Sequence, residues 1–278
     1  NRLRLEGDLR RAIDEGRLKV AYQPVHDLAD GRLAGFEALV RWQHPQDGLR
    51  VPADFLGIAE ESGLMLQLSD FVLHCACHQL RAWQRSGDAD ASTTISVNVS
   101  GADIVQPSFL ARVTRAIVES GLRAEQLCLE LTEDILSSRL EAALPMLHQL
   151  RRLGVQLAID DFGTGYSSLS HLSTLPIDCL KIDRSFVSRL ETSANEAAVV
   201  RSIILLGSSL GKAVVAEGIE TPGQLALLRG MGCRQGQGFL LARPLASQDV
   251  SSLLTRRQAP WPAPAADQRP APARAVLH

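Results

Sequence analysis

The stretch QLAIDDFGTGYSSL, residues 156–169, begins as an apolar strand and ends in two adjacent carboxylates, Asp160 and Asp161. Glycines then bracket a threonine, and serines lead into another apolar run. Two adjacent acids at the end of a core strand do not stabilise a folded domain. Charges about 4 Å apart repel each other by about 4 kcal/mol at an effective dielectric of about 20. The stretch therefore predicts a buried strand whose end carries functional residues.

Similar strands recur along the chain. The apolar segments 19–28 and 33–42 flank Asp30-Gly31, a dipeptide that favours a hairpin, so this pair is predicted to be antiparallel. Six more strands are predicted at 93–100, 127–132, 155–160, 178–183, 213–217 and 236–241. Helices are predicted at 4–16, 52–62, 69–86, 107–120, 138–153, 195–210, 221–230 and 246–257. This alternation, without a GxGxxG motif after the first strand, indicates an α/β fold: a (β/α)8 TIM-type barrel with one antiparallel strand in the first hairpin.

Composition narrows the class of protein. The 278 residues carry a formal net charge of −2, which argues against a protein that binds duplex nucleic acid through a basic face. Five cysteines without a CxxC spacing indicate a reduced, cytoplasmic setting. Because the sequence opens on Asn1, we expect an upstream regulatory or sensor domain, or a membrane anchor, in a longer protein. Residues 1–258 are expected to form the folded domain, and the Ala/Pro-rich tail 259–278 to be disordered.

Charged and amide side chains lie at the ends of most predicted strands. They are Glu37, Arg41, Asn98, Glu130, Glu133, Asp160, Asp161, Lys181, Asp183, Glu217 and Glu220. In a β/α barrel these ends meet at one rim, where Arg41 and Lys181 are too few to neutralise the acids. Carboxylates and one amide, with no His or Cys, suit Mg²⁺ or Mn²⁺. Adjacent aspartates further suit two ions about 3.5–4 Å apart, which clamp a phosphodiester for in-line attack.

Two simpler interpretations apply to particular residues. Asp183 precedes Arg184-Ser185 and is interpreted as a helix N-cap rather than a metal ligand. The segment His74-Cys-Ala-Cys-His78 offers a rival zinc site, because histidines four residues apart can share a helix face. Its cysteines point to other faces, so four ligands could not converge without distorting the helix. Ordinary packing and surface roles are favoured there.

The strand-end residues also form a family signature. Glu37-Ala38-Leu39 resembles the motif that names the EAL domain, the cyclic di-GMP phosphodiesterase family. Further stretches resemble its motifs in the same order: Tyr22-Gln-Pro24, Glu130-Leu-Thr-Glu133, Asp160-Asp-Phe-Gly-Thr-Gly-Tyr-Ser-Ser168, Lys181-Ile-Asp183, Ala216-Glu-Gly-Ile-Glu220 and Gln237-Gly-Phe239. The resemblance covers about residues 5–256, and the Asp-Asp-Phe-Gly-Thr-Gly run is its most specific part.

The resemblance implies hydrolysis of one phosphodiester of cyclic di-GMP to linear pGpG, with two Mg²⁺ or Mn²⁺ ions required and Ca²⁺ inhibitory. The implied ligands are Glu37, Asn98, Glu130 and Asp160 for the first ion, and Asp160 and Asp161 for the second. The implied catalytic group comprises Glu217 as general base, Lys181 beside the water or phosphate, and Glu133 as anchor of the loop 162–168. The implied substrate-binding or site-shaping residues are Gln23, Arg41, Gln237 and Glu220. A homodimer is implied as well.

Two other functions remain open on the sequence. Some members of the family have lost catalysis and act as cyclic di-GMP receptors or interaction modules, although every expected motif position is filled here. A phosphodiesterase for another cyclic dinucleotide is the second alternative, because the acidic rim explains phosphodiester chemistry better than guanine selectivity.

Overall fold

The computed structural model of the protein describes residues 2–165 and 172–255. Its strands are β1 (Leu18–Asp27), β2 (Leu33–His44), β3 (Gly48–Arg50), β4 (Thr94–Asn98), β5 (Leu127–Thr132), β6 (Gln156–Phe162), β7 (Cys179–Ile182), β8 (Ala213–Ala216), β9 (Gln235–Gly236) and β10 (Leu245–Ala246). Eight of them close a barrel in the order β1-β9-β8-β7-β6-β5-β4-β2, because β2 pairs again with β1. The strands β3 and β10 extend the sheet beside β2 and β1. The predicted (β/α)8 barrel is confirmed.

The first hairpin makes β1 the reversed strand of the barrel. It runs antiparallel to both β2 and β9, whereas the other barrel strands, β2 and β4 to β9, pair with one another in parallel. The Asp30-Gly31 turn is closed by the Asp27 N–H, which donates to the Arg32 carbonyl at 2.8 Å. Gly31 adopts a φ of +75°, which other residues rarely adopt. The antiparallel pair predicted from this dipeptide is confirmed.

Helices surround the barrel. They are α1 (Arg2–Asp14), α2 (Leu56–Glu61), α3 (Met65–Ser86), α4 (Gly101–Ile104), α5 (Phe109–Ser120), α6 (Glu133–Leu153), α7 (Arg184–Ser188), α8 (Ala194–Ser209), α9 (Pro222–Gly230) and α10 (Ser247–Thr255), with 3₁₀ turns at Pro52–Asp54 and Ala124–Gln126. None of the helices within the described ranges combines the length and hydrophobicity that crossing a bilayer requires. The predicted disordered tail, 259–278, lies outside the described residues.

Element boundaries differ from the sequence predictions where tertiary contacts decide them. Helix α6 begins at Glu133 rather than at 138, and its helical geometry is interrupted at Arg139 (φ −134°, ψ 19°). The last predicted strand, 236–241, shrinks to Gln235–Gly236. The chain beyond it turns back, because Ile219 N–H donates to the Gln237 carbonyl and Leu240 N–H to the Ile219 carbonyl. Those bonds replace the ladder that a longer strand would need.

Side-chain alternation separates the outer core from the barrel interior. Tyr22 of β1 and Phe36 of β2 contact Trp83 of α3, with ring centroids 4.8 and 4.6 Å apart. Because successive side chains of a strand point to opposite faces, Gln23 and Glu37 face the interior instead. Apolar packing against the helices therefore fixes the direction of polar side chains inside the barrel.

Candidate active site

A single buried lysine stands at the centre of the acidic rim. The ammonium of Lys181 lies 2.6 Å from a Glu130 oxygen and 2.6 Å from a Glu217 oxygen. Glu37 and Asp160 approach the same nitrogen at 3.5 and 3.3 Å. Four carboxylates thus share one cation in a largely buried region, which leaves a formal excess of three negative charges there.

Barrel closure brings these groups together from separate strands. Glu37 lies on β2, Glu130 on β5, Asp160 on β6 and Lys181 on β7, while Glu217 directly follows β8. In the parallel ladder between β4 and β5, Asn98 is the register partner of Glu130. Since the strands end at one rim, their terminal polar residues converge as the sequence predicts.

A local distortion turns both adjacent aspartates toward the rim. Pairing between β6 and β7 is irregular from Ile159 to Phe162, and Asp161 adopts a φ of +54°. Within the described residues Asp161 is the one non-glycine in this left-handed region, a conformation that costs energy and concentrates at functional sites. Oxygens of Asp160, Asp161 and Glu217 consequently lie within 4.8 Å of one another. A regular strand would have sent the two aspartates to opposite faces.

Burial and crowding shift the protonation of the site. Burial raises the pKa of Glu130 to about 8 against the opposing charge of Lys181, and raises the pKa of Glu217 well above its ordinary value. Burial, with the neighbouring Asp160 charge, raises the pKa of Asp161 to about 6. Burial also opposes the charge of Glu37, but Lys181 and hydrogen bonds from two amides keep its pKa below the usual range. Glu130 and Glu217 therefore tend to retain protons when no further cation is present, whereas Glu37 stays ionised.

Two amide side chains organise the carboxylates. Gln237 Nε2 donates to Glu37 at 2.6 Å and to Glu217 at 3.0 Å, and Asn98 Nδ2 donates to the other oxygen of Glu37 at 2.9 Å. Gly238 lets the Gln237 loop lie directly on the loop after β8, because a Cβ there would come within 2.2 Å of Ile219 backbone atoms. Gln237, predicted to bind substrate or shape the site, is thus placed as a bridge between two acids.

Glu133 contacts the loop that follows the paired aspartates and does not ion-pair with Lys181 in the described residues. It is buried at the start of α6, and its Oε2 accepts hydrogen bonds from the N–H groups of Gly163 (2.9 Å) and Gly165 (3.2 Å). Gly163 needs its φ of +101°, and a Cβ on Gly165 would come within 3.0 Å of the Glu133 carboxyl. The structure thus places Glu133 against the loop that follows the paired aspartates. Residues 166–168, which complete the loop that Glu133 is implied to anchor, lie outside the described residues.

The remaining predicted substrate residues, Gln23, Arg41 and Glu220, differ in how deeply they are buried. Gln23 is buried opposite Glu37 in the β1–β2 register, and its amide donates to the Ala242 carbonyl at 3.4 Å. Arg41 is half-buried: burial lowers its pKa while the charge of Glu37 opposes that shift. Glu220 is exposed, and no ion pair joins its carboxylate to Lys181 in the described ranges. Glu220 is therefore not part of the carboxylate group around Lys181, and its role toward substrate stays a prediction.

Asp183 has a second neighbour that the sequence interpretation missed. Its carboxylate caps α7 by accepting from the Ser185 N–H at 2.9 Å, as predicted. Burial and the charge of Asp160 are the larger causes of the raised pKa of Asp161, and the charge of Asp183 adds to them. The signal available in the sequence was the spacing of Lys181 and Asp183, which are two residues apart at the end of β7 and so point to the same side.

The donor set fits hard divalent cations. The structure gathers carboxylate oxygens and an asparagine side chain, and the possible ligand group at the rim within the described residues, Asp160, Asp161 and Glu217, contains no histidine or cysteine. A formal excess of three negative charges in a buried region requires protons or cations, and oxygen donors suit ions such as Mg²⁺ or Mn²⁺. The group Asp160, Asp161 and Glu217 could hold one such ion.

These features define a β/α barrel that carries an acidic cation site at the carboxyl ends of its strands. The family model described as the EAL domain matches residues 6–244, and the chain belongs to the EAL domain family. The predicted family is confirmed.

Relatives of the chain carry informative names. A Pseudomonas aeruginosa protein named cyclic di-GMP phosphodiesterase NbdA is 44% identical over 243 residues, which are 87% of this chain and 31% of that protein. The bifunctional diguanylate cyclase/cyclic di-GMP phosphodiesterase MucR of the same species is 42% identical over 248 residues, 89% of this chain and 36% of that protein. The chain therefore spans about a third of the length of these two relatives.

A solved structure has the same architecture. The PaMucR phosphodiesterase in complex with c-di-GMP superposes with a TM-score of 0.86 at 41% identity, covering 89% of this chain and 99% of that chain.

Proposed function

We propose that this chain hydrolyses cyclic di-GMP to linear pGpG in a reaction that requires Mg²⁺ or Mn²⁺. The observation that carries the proposal is the cluster around Lys181, in which four carboxylates face a single positive charge. The names of the two Pseudomonas aeruginosa relatives and the c-di-GMP complex of the structural neighbour support the choice of substrate.

We assign the proposed cation ligands by position. Glu37, Asn98, Glu130 and Asp160 would hold one ion, and Asp160 with Asp161 the other, with Glu217 beside them. When bound, the ions supply electrophilic activation of the phosphodiester and neutralise the charge that develops on it. For this, Asn98 must turn its amide oxygen toward the ion, while Nδ2 keeps its bond to Glu37.

Residues of the chain account for the activation of the attacking water and for the charge that faces the phosphate. A water oxygen attacks phosphorus as the bond from phosphorus to the ribose 3′ oxygen breaks, because the product keeps its phosphate at the 5′ end. Glu217 accepts the proton of that water, which suits a carboxylate whose pKa burial raises. Lys181 keeps its positive charge and faces the phosphate oxygens, since the surrounding carboxylates hold its pKa high despite burial. The departing 3′ oxygen receives a proton from solvent.

Substrate contacts outside the acidic group are proposed for Arg41 and Gln23. Arg41 offers a charge beside Glu37 for a phosphate, and Gln23 shapes the wall opposite Glu37. Gln237 is proposed to position Glu37 and Glu217, and the exposed Glu220 is proposed to contact substrate outside the acidic group. A homodimer, an upstream regulatory or sensor domain and a cytoplasmic location are further proposals.

The test is a hydrolysis assay on the purified domain. Cyclic di-GMP is incubated with Mg²⁺, with Mn²⁺, with Ca²⁺ and with EDTA, and pGpG is separated by chromatography. We expect pGpG in the first two reactions alone. Saturable binding of cyclic di-GMP without pGpG in any reaction would support the receptor alternative. Faster turnover of another cyclic dinucleotide in the same assay would reassign the substrate.

Removing the loop anchor should weaken the binding of metal. In Glu133→Ala the two glycine N–H groups lose their acceptor, so the loop after Asp161 is released. We expect the Mg²⁺ concentration for half-maximal activity to rise about 10–100-fold, as for other residues that orient metal ligands. Glu133→Gln keeps a carbonyl acceptor and is the matched control with a small expected change. An unaltered Mg²⁺ titration in Glu133→Ala would refute the anchoring role.

The raised pKa of Glu130 predicts the pH dependence of the metal-free protein. Its folded value of about 8 exceeds the unfolded value of about 4.3, so the folded state binds more protons between these pH values. This contribution to stability, complete below the unfolded value, is lost as pH rises toward 8, by up to about 1.4 kcal/mol per pH unit.

We expect thermal melts in EDTA to show a melting temperature that falls between pH 5 and 8. Saturating Mg²⁺ should remove most of that slope, because ion binding displaces the proton. A melting temperature in EDTA that holds steady or rises over this range would contradict the prediction.

A further inference from the structure

A second group of metal-ligating side chains lies outside the barrel, on two neighbouring helices. His74 and His78 occupy successive turns of α3, and Glu119 lies near the end of α5. His74 and Glu119 are exposed, and His78 is half-buried. This group, here called the helix site, shares no residue with the acidic rim.

The geometry is close to that of a chelate. The imidazole centroids are 4.2 Å apart, and His74 Nδ1 lies 3.6 Å from a Glu119 carboxylate oxygen. One ligand atom from each of the three side chains lies within 4.8 Å of the other two. Tetrahedral bonds of about 2.0–2.1 Å place ligand atoms about 3.3 Å apart, so small side-chain rotations suffice to close the group around an ion.

The surroundings of the helix site also favour the binding of a metal ion. His78 Nε2 is shielded from solvent and has no hydrogen-bond partner in the described part of the chain. An imidazole in that position gains a partner if its ring turns toward an ion. Cys77 is fully buried, and burial raises the pKa of the half-buried Cys75 thiol, so neither cysteine competes as a thiolate ligand. Glu119, contributed by α5, takes the place that the cysteines cannot fill.

We propose that the helix site binds a zinc-class divalent ion through His74, His78 and Glu119, with water completing the coordination. Two imidazole nitrogens and one carboxylate favour Zn²⁺, Co²⁺, Ni²⁺ or Cu²⁺ over Mg²⁺ and Ca²⁺. The ion would tie α3 to α5. Because Trp83 of α3 packs behind the strands that carry Gln23 and Glu37, the tie stabilises a helix that supports the barrel wall.

The test titrates Zn²⁺ into the tag-free protein. Excess Mg²⁺ is present throughout to occupy the acidic rim. Calorimetry or competition with a chromophoric chelator measures Zn²⁺ affinity for wild type, His74→Ala/His78→Ala and Glu119→Gln. We expect the double variant to bind Zn²⁺ at least about tenfold more weakly, a loss of at least about 1.4 kcal/mol, and Glu119→Gln to lie between. His148→Ala, at an exposed histidine of α6, is the matched control and should bind as wild type does.

Two readouts keep the result independent of folding and of hydrolysis. Co²⁺ substituted for Zn²⁺ should give a visible absorption band in wild type that His74→Ala, a change at an exposed position, removes. Circular dichroism in EDTA should show that all variants fold. Equal Zn²⁺ affinity in wild type and the double variant, or a Co²⁺ band that survives His74→Ala, would overturn the proposal.

Discussion

Asparagine in place of Asp160 is expected to abolish hydrolysis of cyclic di-GMP and, at the same time, to stabilise the metal-free protein. Asp160 belongs to both proposed ligand sets, so its loss removes charge from both ion positions. A loss of about 4 kcal/mol of transition-state stabilisation corresponds to about a thousandfold lower rate. Initial rates at saturating Mg²⁺ measure this effect.

The stability effect has the opposite sign because Asp160 is one of four carboxylates around Lys181. Removing one of them reduces repulsion while Glu130 and Glu217 keep the lysine paired. We expect the melting temperature in EDTA to rise by about 2–4 °C for each kcal/mol of relieved repulsion. Glu141→Gln, at an exposed position of α6, should change neither measurement. A variant that retains wild-type turnover would refute the ligand assignment.

The sequence predicts which residues reach the rim, because strand ends and side-chain alternation are local properties. Asp30-Gly31 marks the reversed strand, and Glu37, Glu130 and Lys181 lie at positions whose neighbours are apolar and outward-facing. These features depend on spacing within a few residues, and they are the ones that the structure confirms.

Other features depend on contacts between distant segments and could not be predicted. The left-handed Asp161 arises where the β6–β7 pairing is irregular, so it requires the neighbouring strand. The role of Gln237 as a bridge depends on close packing of its loop against Ile219. The shortened last strand has the same cause, since its backbone groups bond to that loop instead of extending the sheet.

The helix site is another feature that the sequence could not predict, because it depends on a contact between two helices. His74 and His78 are visible in the sequence as a pair four residues apart, and the cysteines between them were the only other ligands nearby. Glu119 lies on another helix, and only the packing of α3 against α5 brings it within reach. A motif that is incomplete within one helix can therefore be completed by its neighbour.

Methionine in place of Lys181 is expected to have the largest effect on folding. It fills a similar volume but leaves Glu37, whose pKa Lys181 keeps below the usual range, buried without its cation. Breaking a buried ion pair in this way costs about 3–5 kcal/mol, because an uncompensated buried charge remains. Urea unfolding in EDTA at neutral pH measures the loss, and hydrolysis should be lost as well.

The charge origin of this loss can be separated from packing. In wild type burial opposes the charge of Glu37, and the charge of Lys181 is the main factor that lowers its pKa, so in Lys181→Met this carboxyl should take up a proton as pH falls toward 5, and the difference from wild type should shrink there. Lys212→Met is the matched control: that ammonium is half-buried and donates to the Ile177 carbonyl at 2.8 Å, a bond worth about 1.5–3 kcal/mol. Its loss should be independent of pH between 5 and 7. If Lys181→Met behaves in the same way, Lys181 contributes packing rather than charge, and the four carboxylates do not require a cation.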